Sequence, residues 1–224
     1  MADNGAVVEF DFTALDGAGL LFDTAKRFLS ELDGLALDVP TEARYLAGND
    51  YQAGLARLFE SVKTKKTAEK AARDLAELFN AELTDCLAAA LTPGFRNFVR
   101  TLTDAGLKVV VSTRADICAD RVREAFGDLL DGNVVLYQET STVYGSQKWD
   151  AWRRACARNR LRNTSTVAVT GSGFGVKAAL LADMGTLAVI DDHVAYQDFG
   201  GADEIVEALD TAAAKKVLSI LKIK

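Results

Sequence analysis

Short apolar, β-branched runs alternate along this chain with longer stretches of helical periodicity. Ala6-Val7-Val8, Lys108-Val109-Val110-Val111, Val167-Ala168-Val169 and Leu187-Ala188-Val189-Ile190 are continuously apolar or nearly so. That is the pattern of strands buried on both faces of a parallel sheet. Asn133-Val134-Val135-Leu136-Tyr137 is a further candidate strand. Between the first run and the second lie about ninety residues with little strand signal, far more than the dozen or so a βαβ crossover needs. Helical periodicity fills the interval, in Ala53 to Val62 and in the Lys/Glu/Ala-rich stretch from Thr67 to Leu91. The strand–helix rhythm then resumes: Thr92-Pro93-Gly94 opens a helix through Leu102, Asp104-Ala105-Gly106 stops it, and Leu107 enters the next strand. The pattern predicts an α/β fold, a Rossmann-like parallel sheet core over residues 1–18 and 93–224 with an inserted helical cap over 19–92.

The composition narrows the partners. The chain has 224 residues, 49% of them hydrophobic and 26% charged, with 26 Lys+Arg against 32 Asp+Glu and a net charge of −6. An acidic balance works against nucleic-acid backbones and anionic lipid, so neither is an expected partner. The basic runs Lys63-Thr64-Lys65-Lys66 and Lys215-Lys216 are short enough to be solvated helix ends. Cys86, Cys118 and Cys156 are widely spaced and His193 is the one histidine, which argues against structural zinc and a disulfide framework. No signal segment or membrane-length apolar run is evident, so a cytoplasmic location is expected. Trp149 and Trp152, with Ala155-Cys156 behind them, recur at helical spacing and read as helix packing.

In open α/β sheets ligands sit outside the carboxyl ends of the strands. The informative residues are therefore Glu9 to Asp16, Ser112 to Arg114, Gly171 to Gly175, and Asp191-Asp192. Thr170-Gly171-Ser172-Gly173-Phe174-Gly175 lies between a strand and the helix Val176 to Met184. Its amides are candidates to cradle phosphate, and its glycines equally suit a tight strand-to-helix turn. It has no Walker lysine and no complete dinucleotide fingerprint. Ser112 and Thr113 are candidate phosphoryl contacts or caps of a helix starting near Asp116. Lys148 is a candidate phosphoryl contact or a solvated helix-start charge. Asp191-Asp192-His193 reads first as a turn.

Taken together, these segments resemble the haloacid dehalogenase superfamily. Val7-Val8-Glu9-Phe10-Asp11-Phe12-Thr13-Ala14-Leu15-Asp16 is similar to that family's first motif, an apolar strand followed by Asp-x-Asp-Gly-Thr-Leu-x-Asp. Thr92-Pro93-Gly94 through Ser112-Thr113 resembles the helix and strand leading to the second motif's hydroxyl, here Ser112. Lys148 stands at the third motif's lysine, and Ser172, Ala178-Ala179, Ala182 and Met184 resemble the fourth. The likeness spans nearly the whole chain. It implies a phosphatase-like hydrolase with a carboxylate nucleophile, a second acid, and magnesium on the phosphoryl oxygens.

The departures bear on that chemistry. Gly171 and Gly175 fall where the family's fourth-motif acids stand. In one register the nucleophilic aspartate falls on Glu9, with Asp11, Thr13 and Asp16 matching. A second register makes Asp11 the nucleophile and puts Thr13 at the acid/base position, but it leaves Glu9 two residues inside a doubly buried strand. The first register leaves Glu9 at the strand end and is preferred on that ground. An extra methylene displaces a nucleophilic oxygen by roughly 1 Å, which can cost about a hundredfold in rate. Magnesium wants close to six oxygens, usually anchored by more than one carboxylate.

The resemblance thus implies Asp11, Glu9, Lys148 and Ser112 as catalytic-site residues. Thr113, Gly171, Ser172 and Gly173 are the expected phosphate contacts. Asp11, Glu9 and a borrowed Asp191 are the candidate ligands of a magnesium ion held weakly or not at all. The expected function is a phosphatase-like protein, impaired or inactive, that binds a small phosphorylated molecule. An active magnesium-dependent phosphomonoester hydrolase using Asp11, and a non-catalytic protein-interaction scaffold, stay open as alternatives.

Overall fold

Strand β1 (Asp3–Glu9) lies inside a sheet whose order is β3-β2-β1-β4-β5-β6, with β2 (Lys108–Thr113), β3 (Val134–Gln138), β4 (Leu161–Thr170), β5 (Gly185–Val189) and β6 (Glu204–Val206). The computed structural model describes residues 3–87, 91–113, 127–130, 133–139 and 148–223. Every strand pair is parallel. The order reverses at β1, so the crevice between the carboxyl ends of β1 and β4 is the topological switch point.

Alternation along the strands explains their apolar runs. Ala6 and Val8 point to one face with Val109, Val111, Val167 and Val169. Val7, Val110 and Ala168 point to the other. Helix α5 (Phe95–Asp104) and helix α8 (Thr211–Ile220) cover the first face through Phe95, Phe98, Leu102, Ala213 and Val217. Helix α6 (Lys148–Arg158) and helix α7 (Gly173–Leu181) cover the second through Trp152, Cys156, Ala178 and Ala179. The tryptophan spacing is indeed helix packing: Trp152 is fully buried and Trp149 packs beside it.

Between β1 and β2 the chain forms α1 (Gly17–Asp33), α2 (Val39–Tyr45), α3 (Tyr51–Val62) and α4 (Ala68–Cys86). Asp16, Asp38 and Asp50 cap the first three by accepting from the amides of Gly19, Thr41 and Ala53. Gly34 ends α1 at φ 63°, the left-handed geometry glycine adopts without strain. Leu21, Ala25 and Leu29 on α1, with Leu75, Phe79 and Leu83 on α4, are spaced i, i+4 and bury one face of each helix. These residues join the same apolar cluster as the first face of the sheet. The segment leaves and re-enters the sheet layer at one place, where Leu15 bridges Leu91 and the Thr92 amide donates to the Ala14 carbonyl at 2.8 Å.

Several elements differ from the sequence reading. Strand β6 and helix α2 carry too little periodic signal to be anticipated, since each is short and α2 opens on a proline. Helix α1 begins at Gly17, two residues before the expected start of the insertion. Helix α7 begins at Gly173 and not at Val176, because Ser172 caps it by accepting from the Gly175 amide. Cys118 and the expected helix start near Asp116 lie outside the described residues. Among the described residues no helix is long and apolar enough to cross a membrane.

Because α4 shares its apolar cluster with the sheet, Leu75→Ala is expected to lower stability by about 2–5 kcal/mol. Chemical denaturation followed by circular dichroism and tryptophan fluorescence should still show one coincident transition. Two separated transitions in the variant would mean that the helices between β1 and β2 fold independently of the sheet.

Candidate functional site

Strand β1 ends on Glu9, and the chain then makes a single π-helical turn over Phe10–Ala14. The Thr13 hydroxyl donates to the Glu9 carbonyl at 2.5 Å, and the Leu15 amide closes the turn onto the Phe10 carbonyl. Gly17 is required where α1 leaves it, because a Cβ there would lie 1.6 Å from the Asp11 carbonyl oxygen. The turn delivers Glu9 and Asp11, both buried, to the carboxyl edge of the sheet.

Both oxygens of the Glu9 carboxylate have buried partners. Lys148, at the start of α6 and only 6% exposed, forms an ion pair with its Oε1. The Thr170 hydroxyl donates to Oε2, and the Gly171 amide donates to the same oxygen at 3.3 Å. The Lys148 ammonium also reaches the Gly48 carbonyl at 3.4 Å and lies 5.8 Å from the Trp152 ring centre. Lys148 is therefore not the solvated charge that a lysine at a helix start usually is.

A second set of bonds surrounds it. The Thr113 hydroxyl donates to Asp11 Oδ1 at 2.5 Å. The Ser112 hydroxyl donates to Glu139 Oε1 at 2.6 Å, and the Trp152 indole N–H donates to the same oxygen at 3.1 Å. Sequence reasoning missed Glu139, although it follows β3 directly and the strand-end rule would have found it. Glu9, Asp11, Ser112, Thr113, Glu139, Lys148, Thr170 and Ser172 are all buried.

The glycine loop after β4 also spends its amides internally. Ser172 N–H donates to the Thr170 hydroxyl at 3.3 Å, and Gly173 N–H donates to Gln197 Oε1 at 2.7 Å. The other end of Gln197 donates to the carbonyls of Ala43 at 2.7 Å and Ala47 at 2.8 Å, tying α2 and its exit to the start of α7. Gly48, at φ 71°, presses on the same loop, since a Cβ there would lie 2.3 Å from the Ser172 hydroxyl.

These residues do not fit a magnesium ion. A Cβ at Gly171 would lie 2.0 Å from the Phe12 carbonyl oxygen, and one at Gly175 would lie 1.8 Å from the Thr170 hydroxyl. Neither position has room for an acid without a shift of its neighbours, and the Glu9 carboxylate is already paired with an ammonium, which a magnesium ion would have to displace. Asp191 is exposed and turns the chain, its Oδ1 accepting from the amides of His193 at 2.8 Å and Val194 at 3.1 Å. Among the described residues no cluster of His, Cys, Asp and Glu could hold a metal.

Glu42 on α2 is fully buried, and neither carboxylate oxygen has a hydrogen-bond partner. Burial, with the Asp191 charge adding to it, pushes its carboxyl up to about 8. Nothing in the sequence distinguishes this glutamate from the chain's solvated ones.

No protein-family model matches this chain. A comparison with curated proteins finds no match either. Solved structures do match. The β-phosphoglucomutase of Clostridium difficile superposes with a TM-score of 0.73 at 11% identity, covering 98% of this chain and 97% of that one. CbbY from Rhodobacter sphaeroides, in complex with phosphate, gives 0.69 at 18% identity over 95% of this chain and 99% of its own. A HAD family hydrolase from Deinococcus radiodurans, with bound phosphate and sodium, gives 0.63 at 15% identity over 99% and 96%.

Two expectations follow from the site. Removing one partner of a buried ion pair strands the other, so Lys148→Met should cost about 3–5 kcal/mol and the double variant Lys148→Met/Glu9→Leu distinctly less. Equal losses in single and double variants, measured by urea denaturation, would show that the pair is uncoupled. For Glu42 the folded protein keeps its proton between 4.5 and about 8 while the unfolded chain has lost it. Stability therefore falls as pH rises through that window, by at most about 1.4 kcal/mol per unit. Glu42→Gln should remove this slope and gain a few kcal/mol on the native protein between pH 5 and 8. Parallel stability curves for the two proteins would contradict the assignment.

Proposed function

We propose that this chain, whose fold is the haloacid dehalogenase-like fold of those neighbours, binds a small phosphorylated molecule without hydrolysing it. The observation that carries the reading is the Glu9 carboxylate, which accepts from Lys148, the Thr170 hydroxyl and the Gly171 amide. An ammonium, a hydroxyl and a backbone amide aimed at one point are a set of donors suited to a phosphoryl group. Here the protein supplies its own anion to them. A ligand phosphoryl group gains these donors by displacing Glu9, and Ser112 and Thr113 stand on the neighbouring strand end.

Hydrolysis asks more of the same residues. A nucleophilic carboxylate has to turn an oxygen to phosphorus, and the Glu9 carboxylate is held in place by Lys148 on Oε1 and by Thr170 and Gly171 on Oε2. Asp11 is buried against Thr113, and the glycines at 171 and 175 leave no room for carboxylates that would hold magnesium. Binding on this reading is indifferent to magnesium. That two neighbours were solved with phosphate supports the ligand class.

The test pairs turnover with binding. Phosphate release from a panel of small phosphomonoesters should be no greater for the native protein than for Asp11→Asn, with or without magnesium. Calorimetric titration with the same esters should show weak binding that tightens about tenfold in Glu9→Gln, where the competing anion is gone. Magnesium-dependent turnover lost in Asp11→Asn would instead make this an active hydrolase using Asp11. Neither turnover nor binding, in native protein and Glu9→Gln alike, would leave the scaffold reading.

A further inference from the structure

A cavity of about 430 Å³ opens at the seam between α2, the first turns of α7 and the segment 196–198 after β5. None of Glu9, Asp11 and Lys148 lines it, and its chemistry does not depend on what their cluster does. Two cations, Arg44 and Lys177, stand on its walls against one carboxylate, Asp198. Lys177 and Asp198 are 3.6 Å apart and mostly exposed, at 58% and 71%, a pairing that water screens and that contributes little. Among the described residues Arg44 makes no ion pair, and its guanidinium lies 5.4 Å from the Tyr45 ring centre. A net positive cavity is unexpected on a chain of charge −6.

Apart from Gln197, the rest of the lining is apolar. Pro40 and Phe174 form part of the walls, and Tyr196 is 68% exposed, more than any other large hydrophobic side chain in the described structure. A ring held in water at the mouth of a cavity has no packing role there, and its face is free for stacking. The three walls are also fixed to one another. Gln197 donates to the carbonyls of Ala43 and Ala47 on one side and accepts from the Gly173 amide on the other, so one side chain ties α2, α7 and its own segment together. A preformed cavity spares a ligand the cost of ordering it.

We propose that this cavity binds a small planar aromatic anion, its ring against Tyr196, Phe174 and Pro40 and its acid group between Arg44 and Lys177. Guanidinium and ammonium groups would supply charge-assisted hydrogen bonds, and the aromatic and proline faces would supply the apolar contact.

The probe is naphthalene-2-sulfonate, titrated into the full chain by calorimetry, with neutral 2-naphthalenemethanol as its control. For a molecule of that size the sulfonate should bind with a Kd on the order of 0.1–1 mM. The alcohol should bind at least about tenfold more weakly. Arg44→Gln/Lys177→Gln should weaken sulfonate binding by about tenfold or more, and Tyr196→Ser should weaken both ligands. All three positions are exposed, so circular dichroism and melting temperature should stay as in the native protein. The proposal is overturned by absent sulfonate binding, by equal affinity for sulfonate and alcohol, or by native-like binding in the double variant. Sulfonate affinity raised about tenfold in Glu9→Gln and unchanged in the double variant would place the anion at the Glu9 cluster and overturn it as well.

Discussion

The buried ion pair between Glu9 and Lys148 is the constraint on which the centre of this molecule depends. Taking two charges out of water costs several kcal/mol per ion, and their attraction offsets it only when further hydrogen bonds satisfy what the pair leaves over. Here the Thr170 hydroxyl and the Gly171 amide, from the loop after β4, and the Gly48 carbonyl, from the loop after α2, do so. The pair sits at the switch point of the sheet, where a parallel α/β fold ordinarily leaves a crevice for ligand. Using the donors there to stabilise the fold and using them to hold substrate are competing demands. An ammonium already neutralised by an internal carboxylate has little field left to offer a phosphoryl group.

The same cluster couples the inserted helices to the sheet. The loop after α2 contributes Gly48, whose carbonyl accepts from Lys148 and whose missing Cβ lets it lie on Ser172. Gln197, itself held by the Gly173 amide, adds two hydrogen bonds to the inserted helices, at the Ala43 and Ala47 carbonyls. Each such bond contributes about 0.5–1.5 kcal/mol net, so separating the helices from the sheet costs several kcal/mol before any apolar surface is exposed. Buried Glu42 works in the opposite direction as pH rises, since its ionisation next to Asp191 disfavours the closed seam. The seam is thus held by neutral and paired groups and opposed by one unpaired acid.

How much of this was legible in the sequence depended on the range of the interactions. The strands β1 to β5 could be read because burial on both faces forces continuous apolar runs. Strand β6 could not, because a three-residue edge strand among Asp and Gly carries no such run. The positions of Glu9, Ser112, Thr113, Lys148 and Gly171 at one edge followed from strand ends and motif order. What they bond to did not: Glu9 meets Lys148 across 139 residues and Thr170 across 161. The usual solvated state of a lysine at a helix start was overridden by that one distant partner. Glu139 follows a strand end and could have been found by that rule, whereas Glu42 and Gln197 carry no local pattern, so only the packed structure reveals them.

The glutamate at position 9 and the glycines after β4 depend on one another sterically and through hydrogen bonds. Acids at 171 and 175 would need Cβ atoms 2.0 Å from the Phe12 carbonyl oxygen and 1.8 Å from the Thr170 hydroxyl. The π-helical turn over Phe10–Ala14 has therefore closed onto the volume that such acids would occupy. Withdrawing the position-9 carboxylate by one methylene would pull it away from Thr170 and Gly171, leaving a buried hydroxyl and amide unpaired at about 1–3 kcal/mol each. Restoring either half alone is thus destabilising, by a clash on one side and by unpaired polar groups on the other. A carboxylate-rich metal site at this edge would require the turn after β1 to be re-laid together with both ends of the ion pair.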